Sequence, residues 1–116
     1  MVLPDDVIEE VKKVFAELKN NVKLIVFTQE LECQFCRENR ALADEIAQIS
    51  DKISVEVYNF INDKEKVEQY KVDKIPAIVV TDENKDYGIR FYGIPSGYEF
   101  TSLIEAIKMV STGESG

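Results

Sequence analysis

The chain of 116 residues has an apolar content of 45%, enough for one packed core, and is too short for two domains. Its net charge of −8 and pI near 4.6 argue against nucleic acid and anionic membrane as partners, since both reward Lys and Arg clusters. The absence of histidine excludes Cys–His and Ser–His nucleophile pairs and the common His-containing zinc sites, and two cysteines cannot alone close a four-ligand metal site.

The first twenty residues are amphipathic and carry Asp5, Asp6, Glu9, Glu10 and Glu17, unlike the basic start and unbroken apolar stretch of a secretory signal. Val7, Ile8, Val11, Val14, Phe15 and Leu18 follow a 3.6-residue period behind Pro4 and predict a first helix. Val22 to Thr28 is a short, almost continuous apolar run and predicts a central strand covered on both faces. Phe35, Leu42, Ile46 and Ile49 then recur at helical spacing, predicting a second helix that begins at the cysteine pair. Ile53 to Phe60, rich in β-branched and aromatic residues, predicts a second strand. Asn62 and Glu65 have the spacing of a capping box and predict a short third helix.

Ala77 to Thr81 and Tyr87 to Tyr92 flank a polar stretch at 82–86 and predict a hairpin. Ser96 and Glu99 repeat the capping-box spacing ahead of Phe100, Leu103, Ile104 and Ile107, which share one face of a last helix. The expected order is α-β-α-β-α-β-β-α. Ser111 to Gly116 is small and polar and reads as a linker or frayed end, so the expected domain is 1–111 with a tail at 112–116. No apolar run approaches the length of a membrane span, and the expected compartment is the cytoplasm. Abundant Glu, Lys and Ile lean towards a thermophile.

Cys33-Gln34-Phe35-Cys36 lies between the buried strand and the helix it feeds, and a C-x-x-C beside a βαβ pattern reads as thioredoxin-like. At a helix N-terminus, unpaired amide N–H groups and the macrodipole stabilise an anion and lower a thiol pKa from its free value of about 8.5. Cys33 is the better-placed thiolate: it would attack a substrate disulfide to form a mixed disulfide, which Cys36 would resolve. As a structural staple the pair would be inefficient, since closing a four-residue loop gains roughly 2 kcal/mol against about 4.7 for a hundred-residue loop. Glu30, Glu32 and Glu38 flank the pair and Arg37 and Arg40 oppose them. Among Val14, Phe15, Phe35, Tyr58 and Phe91, core packing is the stronger reading for all but Phe35, which lies between the cysteines where it can touch substrate.

The strand before Cys33, Gln69-Tyr70-Lys71-Val72-Asp73-Lys74-Ile75-Pro76 and Tyr92-Gly93 together resemble the thioredoxin and glutaredoxin superfamily from residue 22 onward. The chain looks most like the N-terminal unit of the glutaredoxin-like protein disulfide oxidoreductases, through Lys23-Leu24-Ile25-Val26-Phe27, Cys33-Gln34-Phe35-Cys36 and the segment from Tyr87 to Phe100. That resemblance implies an α/β, thioredoxin-like fold, with a four-stranded mixed sheet, helices on both faces and an extra N-terminal helix. It implies a cis Ile75-Pro76 bond beside the cysteines, with Ile75, Pro76 and Gly93 joining Phe35 in binding an extended substrate. It also implies one unit of a two-unit protein. Two features depart from the pattern. Phe27 stands where thioredoxins carry a buried Asp, with Val57 near the paired Lys, which leaves proton transfer to water, the substrate or another carboxylate such as Glu56. Gly93-Ile94-Pro95-Ser96-Gly97 replaces the glutathione-holding pattern of glutaredoxins.

The expected activity is dithiol–disulfide exchange with proteins carrying disulfides or dithiols, requiring no cofactor and no metal. A flavoprotein reductase is a candidate partner, with the chain relaying electrons from it to a peroxidase. Competing classes are a peptide-binding module using the Pro76 and Gly93 surface, and a soft-metal carrier binding through Cys33 and Cys36.

Overall fold

The computed structural model describes residues 3–82, 86–93 and 98–112. Its elements are α1 (Asp5–Phe15), β1 (Val22–Thr28), α2 (Cys36–Ile49), β2 (Ile53–Asn59), α3 (Lys64–Gln69), β3 (Ala77–Thr81), β4 (Asp86–Tyr92) and α4 (Tyr98–Thr112). The order matches the periodicity of the sequence. The strands form one sheet in the order β2-β1-β3-β4, with β1 parallel to β2 and antiparallel to β3, and β4 antiparallel to β3.

Alternation along the strands assigns every other side chain to one layer. Leu24 and Val26 of β1 and Ile78 and Val80 of β3 face α1, α2 and α4, where they meet Val11, Phe15, Leu42, Ile46, Leu103 and Ile107. Ile25 and Phe27 of β1 and Ala77 and Val79 of β3 face the other way, towards Val67, Tyr70 and Val72 around α3. The two central strands are therefore buried on both sides, which is why their sequences are almost unbroken apolar runs. Each fully buried Leu, Ile or Phe contributes roughly 1.5–3 kcal/mol of transfer free energy. Phe15 is buried and Val14, Tyr58 and Phe91 are partly buried against these clusters, leaving Phe35 the exposed member of the aromatic and aliphatic set.

Helix ends depart from the sequence reading at several points. The Asn62/Glu65 capping box does not form: α3 begins after Asp63, which makes no side-chain cap. Asp63 instead accepts the Asn59 N–H at 2.7 Å, while the Asn59 side chain accepts the N–H groups of Ile61 and Asn62, both at 2.9 Å. The turn thus consumes the side chains that a cap would need. The same helix ends in a Schellman motif without glycine. Lys71 takes φ 53°, Val72 N–H bonds to Val67 C=O at 3.1 Å and Lys71 N–H to Glu68 C=O at 3.2 Å, with Val67 and Val72 packed in the same cluster. Ser96 of the Ser96/Glu99 box and the tip of the β3–β4 hairpin lie outside the described residues.

Ser111, which reads as the start of a polar tail, is fully buried within α4. Its Oγ accepts the N–H groups of Lys19 (2.7 Å) and Asn20 (3.0 Å) and donates to Asn20 C=O (3.0 Å), tying the α1–β1 connection to the last helix. Two backbone donors entering β1 depend on that one oxygen. Ser111→Ala is predicted to lower unfolding free energy by about 1–3 kcal/mol in denaturant titrations, because it strands both donors in a partly buried site.

Candidate active site

Between β1 and α2 the chain turns sharply. The Gln29 side-chain amide donates to Leu31 C=O, and Glu32 takes φ 57°, in the left-handed region that costs an L side chain on the order of 1–2 kcal/mol. These turns deliver Cys33 ahead of α2. The helix itself starts only at Cys36, because Phe35 (φ −116°, ψ 10°) is its non-helical cap residue. The sequence pattern begins the helix at the pair, whereas only the second cysteine lies in it. Cys33 and Cys36 form a disulfide with Cα atoms 5.5 Å apart. Cys36 is 3% exposed, on the core-facing stripe of α2, while Cys33 is half-buried and opens to the surface.

The first-turn amides of α2 have no carbonyl within the helix to donate to, until Asn39 N–H donates to Phe35 C=O at 3.0 Å. A thiolate at Cys33 would sit at this electropositive end. Both cysteines border an open groove of about 520 Å³, Cys36 only through its small exposed fraction, together with Thr28, Gln29, Glu30, Gln34, Arg37, Glu38 and Arg40. Two arginines thus face two glutamates there, so side-chain charge in the groove nearly balances and the helix end supplies the net bias. Leu31 and Phe35 bracket Cys33 as exposed large apolar side chains. Leu31 belongs to no motif, although an apolar residue in the run Gln29-Glu30-Leu31-Glu32 is a usable signal.

Ile75-Pro76 is a cis peptide, at the entry to β3. Phe27 pairs with Ala77, so one further antiparallel step sets Pro76 beside Thr28, a residue of the groove. Pro76 C=O accepts Gly93 N–H at 2.9 Å, and Gly93 takes φ +77°, where glycine is favoured for its backbone freedom since a Cβ would meet nothing within 4 Å. Ile75 packs against the Phe27 cluster. Sheet topology therefore gathers Pro76 and Gly93 at the strand end from which the cysteine loop departs.

The thioredoxin domain family matches residues 20–105. The chain belongs to that family. It is 32% identical over 111 residues, 96% of its length, to a Bacillus subtilis protein named NADH dehydrogenase, of which it spans 19%. Among solved structures it superposes on AhpF, a subunit of the Enterococcus faecalis alkylhydroperoxide reductase, with a TM-score of 0.87 and 29% identity, covering 100% of this chain and 55% of that one. It superposes on a protein disulfide oxidoreductase from Aeropyrum pernix with a TM-score of 0.84 and 27% identity, covering 97% and 50%. The chain thus spans about half of each of these two structures. With the Cys33–Cys36 disulfide at the head of α2, it is a thiol–disulfide oxidoreductase domain of the thioredoxin fold.

The end of β1 that leads into the cysteine loop buries an apolar side chain. Phe27 is fully buried, and its strand partner is Tyr58 rather than Val57, with ring centroids 5.8 Å apart. Glu56 lies on the same face of β2 as Tyr58. Lys23 holds it in an ion pair at 3.0 Å and the Tyr58 hydroxyl donates to it at 2.8 Å. The Lys23 bond keeps the Glu56 carboxyl below the usual carboxylate range, and the bond to Glu56 pushes the Tyr58 phenol up to about 12. Glu56 is not among the groove-lining residues; the carboxylates there are Glu30 and Glu38.

The sequence pattern gives Asn39 no role. It is fully buried on the stripe of Cys36, Leu42, Ala43 and Ile46, and neither of its amide atoms has a hydrogen-bond partner among the described residues. A buried polar group left so costs on the order of 1–3 kcal/mol. A polar residue at an apolar position one turn after a cysteine was the available signal. From the burial contrast, Cys33 in the reduced protein is predicted to alkylate faster than Cys36 near neutral pH. Mass-spectrometric mapping of a limiting iodoacetamide reaction checks it, and equal rates or a faster Cys36 contradict the assignment.

Proposed function

We propose that this domain exchanges disulfides with protein substrates, Cys33 acting as nucleophile and Cys36 as resolving thiol. The observation that carries the reading is the asymmetry of the pair: one half-buried cysteine facing a groove just ahead of a 14-residue helix, and one 3% exposed at the first residue of that helix. The Cys33 thiolate attacks a substrate disulfide, a mixed disulfide forms, and one substrate thiolate leaves and takes up a proton. Cys36 then attacks Cys33 Sγ, restoring the intramolecular disulfide and releasing the second substrate thiol. Two electrons pass from the dithiol to the substrate. The same steps run backwards when the partner is a dithiol of lower potential.

Leu31 and Phe35 give a substrate apolar contact on either side of Cys33. The backbone at Ile75, ahead of Pro76, and the Gly93 turn offer an edge for an extended segment. A macromolecular substrate fits this open groove better than a small enclosed ligand does. Action in the cytoplasm is part of the same proposal; among the described residues no helix is long and apolar enough to cross a membrane.

A second reading is favoured by the names of the relatives. The Bacillus subtilis relative is called an NADH dehydrogenase and the Enterococcus faecalis structure is a subunit of an alkylhydroperoxide reductase. On this reading the domain accepts electrons from a flavoprotein reductase, within the same chain or another, and passes them to a peroxidase. The dithiol chemistry is identical and the partner differs. A coupled assay with NADH, such a reductase and either a protein disulfide or a peroxide-reducing partner separates the two.

With a reducing partner and a small disulfide-bonded protein as substrate, Cys33→Ser is predicted to abolish turnover. Cys36→Ser is predicted to accumulate a mixed disulfide visible on non-reducing gels. A double serine variant as active as the wild type, or a Cys36→Ser protein that never traps substrate, overturns the oxidoreductase reading in favour of a peptide-binding module.

A further inference from the structure

On the core side of α2 lies a polar group that the exchange steps above do not use. Asn39 follows Cys36 by one helical turn, is fully buried, and has no hydrogen-bond partner for Nδ2 or Oδ1 among the described residues. Helical side chains lean towards the helix N-terminus, so each covers the turn before its own Cα, and residues at i and i+3 are neighbours. The Asn39 amide accordingly leans towards the turn that holds Cys36. Every other buried residue on the stripe is apolar or a cysteine. A buried amide with nothing to bond to is retained at a cost in stability, which calls for a state in which a partner exists.

The disulfide supplies no strong partner, because Cys36 Sγ is committed to its bond with Cys33. Reduction changes that. The freed sulfur is a donor as a thiol and an anionic acceptor as a thiolate, and an amide presents both an acceptor and a donor. Hydrogen bonds to an ionised group are the stronger kind. We propose that Asn39 is the hydrogen-bond partner of Cys36 in the dithiol and mixed-disulfide states, positioning and activating the resolving sulfur; this rests on the disulfide-exchange reading.

In the resolving step Cys36 loses its proton, and the thiolate held by Asn39 Nδ2–H attacks Cys33 Sγ. The Cys33–Cys36 bond forms as the bond from Cys33 to the substrate sulfur breaks. The substrate leaves as a thiolate and takes up the equivalent of the proton that Cys36 lost, so charge and electrons balance. The chain has no histidine, and Phe27 fills the buried position on β1, so a neutral amide is what the buried stripe of α2 offers this sulfur.

A bond present in the reduced form and missing in the oxidised one favours the dithiol. In equilibration with glutathione, Asn39→Leu is expected to shift the constant towards the disulfide by roughly five- to tenfold. A tenfold shift corresponds to about 30 mV for this two-electron couple. Resolution of a preformed mixed disulfide on Cys33 is expected to slow by a similar factor. The potential compares two redox forms of one variant, so any packing cost common to both cancels, and Asn39→Ala reads the same difference with a smaller side chain. An unchanged potential, or a shift towards the dithiol, in both variants overturns the role of Asn39 even when they still exchange disulfides. Loss of exchange with protein disulfides in the wild type overturns the functional reading instead, and leaves the glutathione comparison intact.

Discussion

The pairing of β1 with a parallel strand on one side and an antiparallel strand on the other is the constraint from which the active site follows. Because β1 is flanked by β2 and β3, its C-terminal end is fixed within the sheet, and the crossover through α2 must start there. The parallel β1–β2 pair requires a long crossover, here the helix α2, which packs its apolar stripe on Leu24 and Val26. That sets the helix N-terminus beside the strand end. The antiparallel β3 begins at the same edge, so Pro76 and the Gly93 turn arrive there too. Chemistry at the cysteines is thus a by-product of burying one strand on both faces.

This geometry divides the sulfurs. Cys36 belongs to the core stripe of α2 and is sealed with it, whereas Cys33 precedes the helix and faces the groove. A nucleophile needs access and a stabilised anion; a resolving thiol needs proximity and protection from other disulfides. The fold provides these separately from residues three apart. Around the pair the interior is neutral, with Phe27 packed in a tilted contact on Tyr58 and edge-on to Tyr70. The charged cluster of Lys23, Glu56 and Tyr58 bonds within itself on the sheet face that carries α3.

Much of this was legible in the sequence because it depends on periodicity. Strand β1 reads as buried on both faces since nearly every residue is apolar, and α1 reads from its 3.6-residue stripe. The cysteine pair is a local pattern in a local context, and the Ile75-Pro76 conformation followed from resemblance. What escaped depends on partners distant in sequence. Ser111 looks like tail because its small polar side chain says nothing of Lys19 and Asn20, which lie more than ninety residues upstream. The end of α3 was hidden because Lys71 occupies a conformation that glycine usually announces. Asn62 and Glu65 have capping-box spacing, but Asn59 and Asp63 closed the turn first. Asn39 escaped because one polar residue barely weakens a stripe of five.

The division of roles between the sulfurs requires that the N-terminus of α2 make Cys33 a thiolate under conditions where an ordinary thiol stays protonated. Following the thiolate absorbance of the fully reduced protein across pH, with Cys33→Ser as the reference, reads this property without any partner. One thiol is expected to titrate clearly below the free-cysteine value of about 8.5, and that transition is expected to vanish in Cys33→Ser. Two thiols that both titrate at or above about 8.5, or a low transition that persists in Cys33→Ser, would refute the assignment of Cys33 as the activated nucleophile.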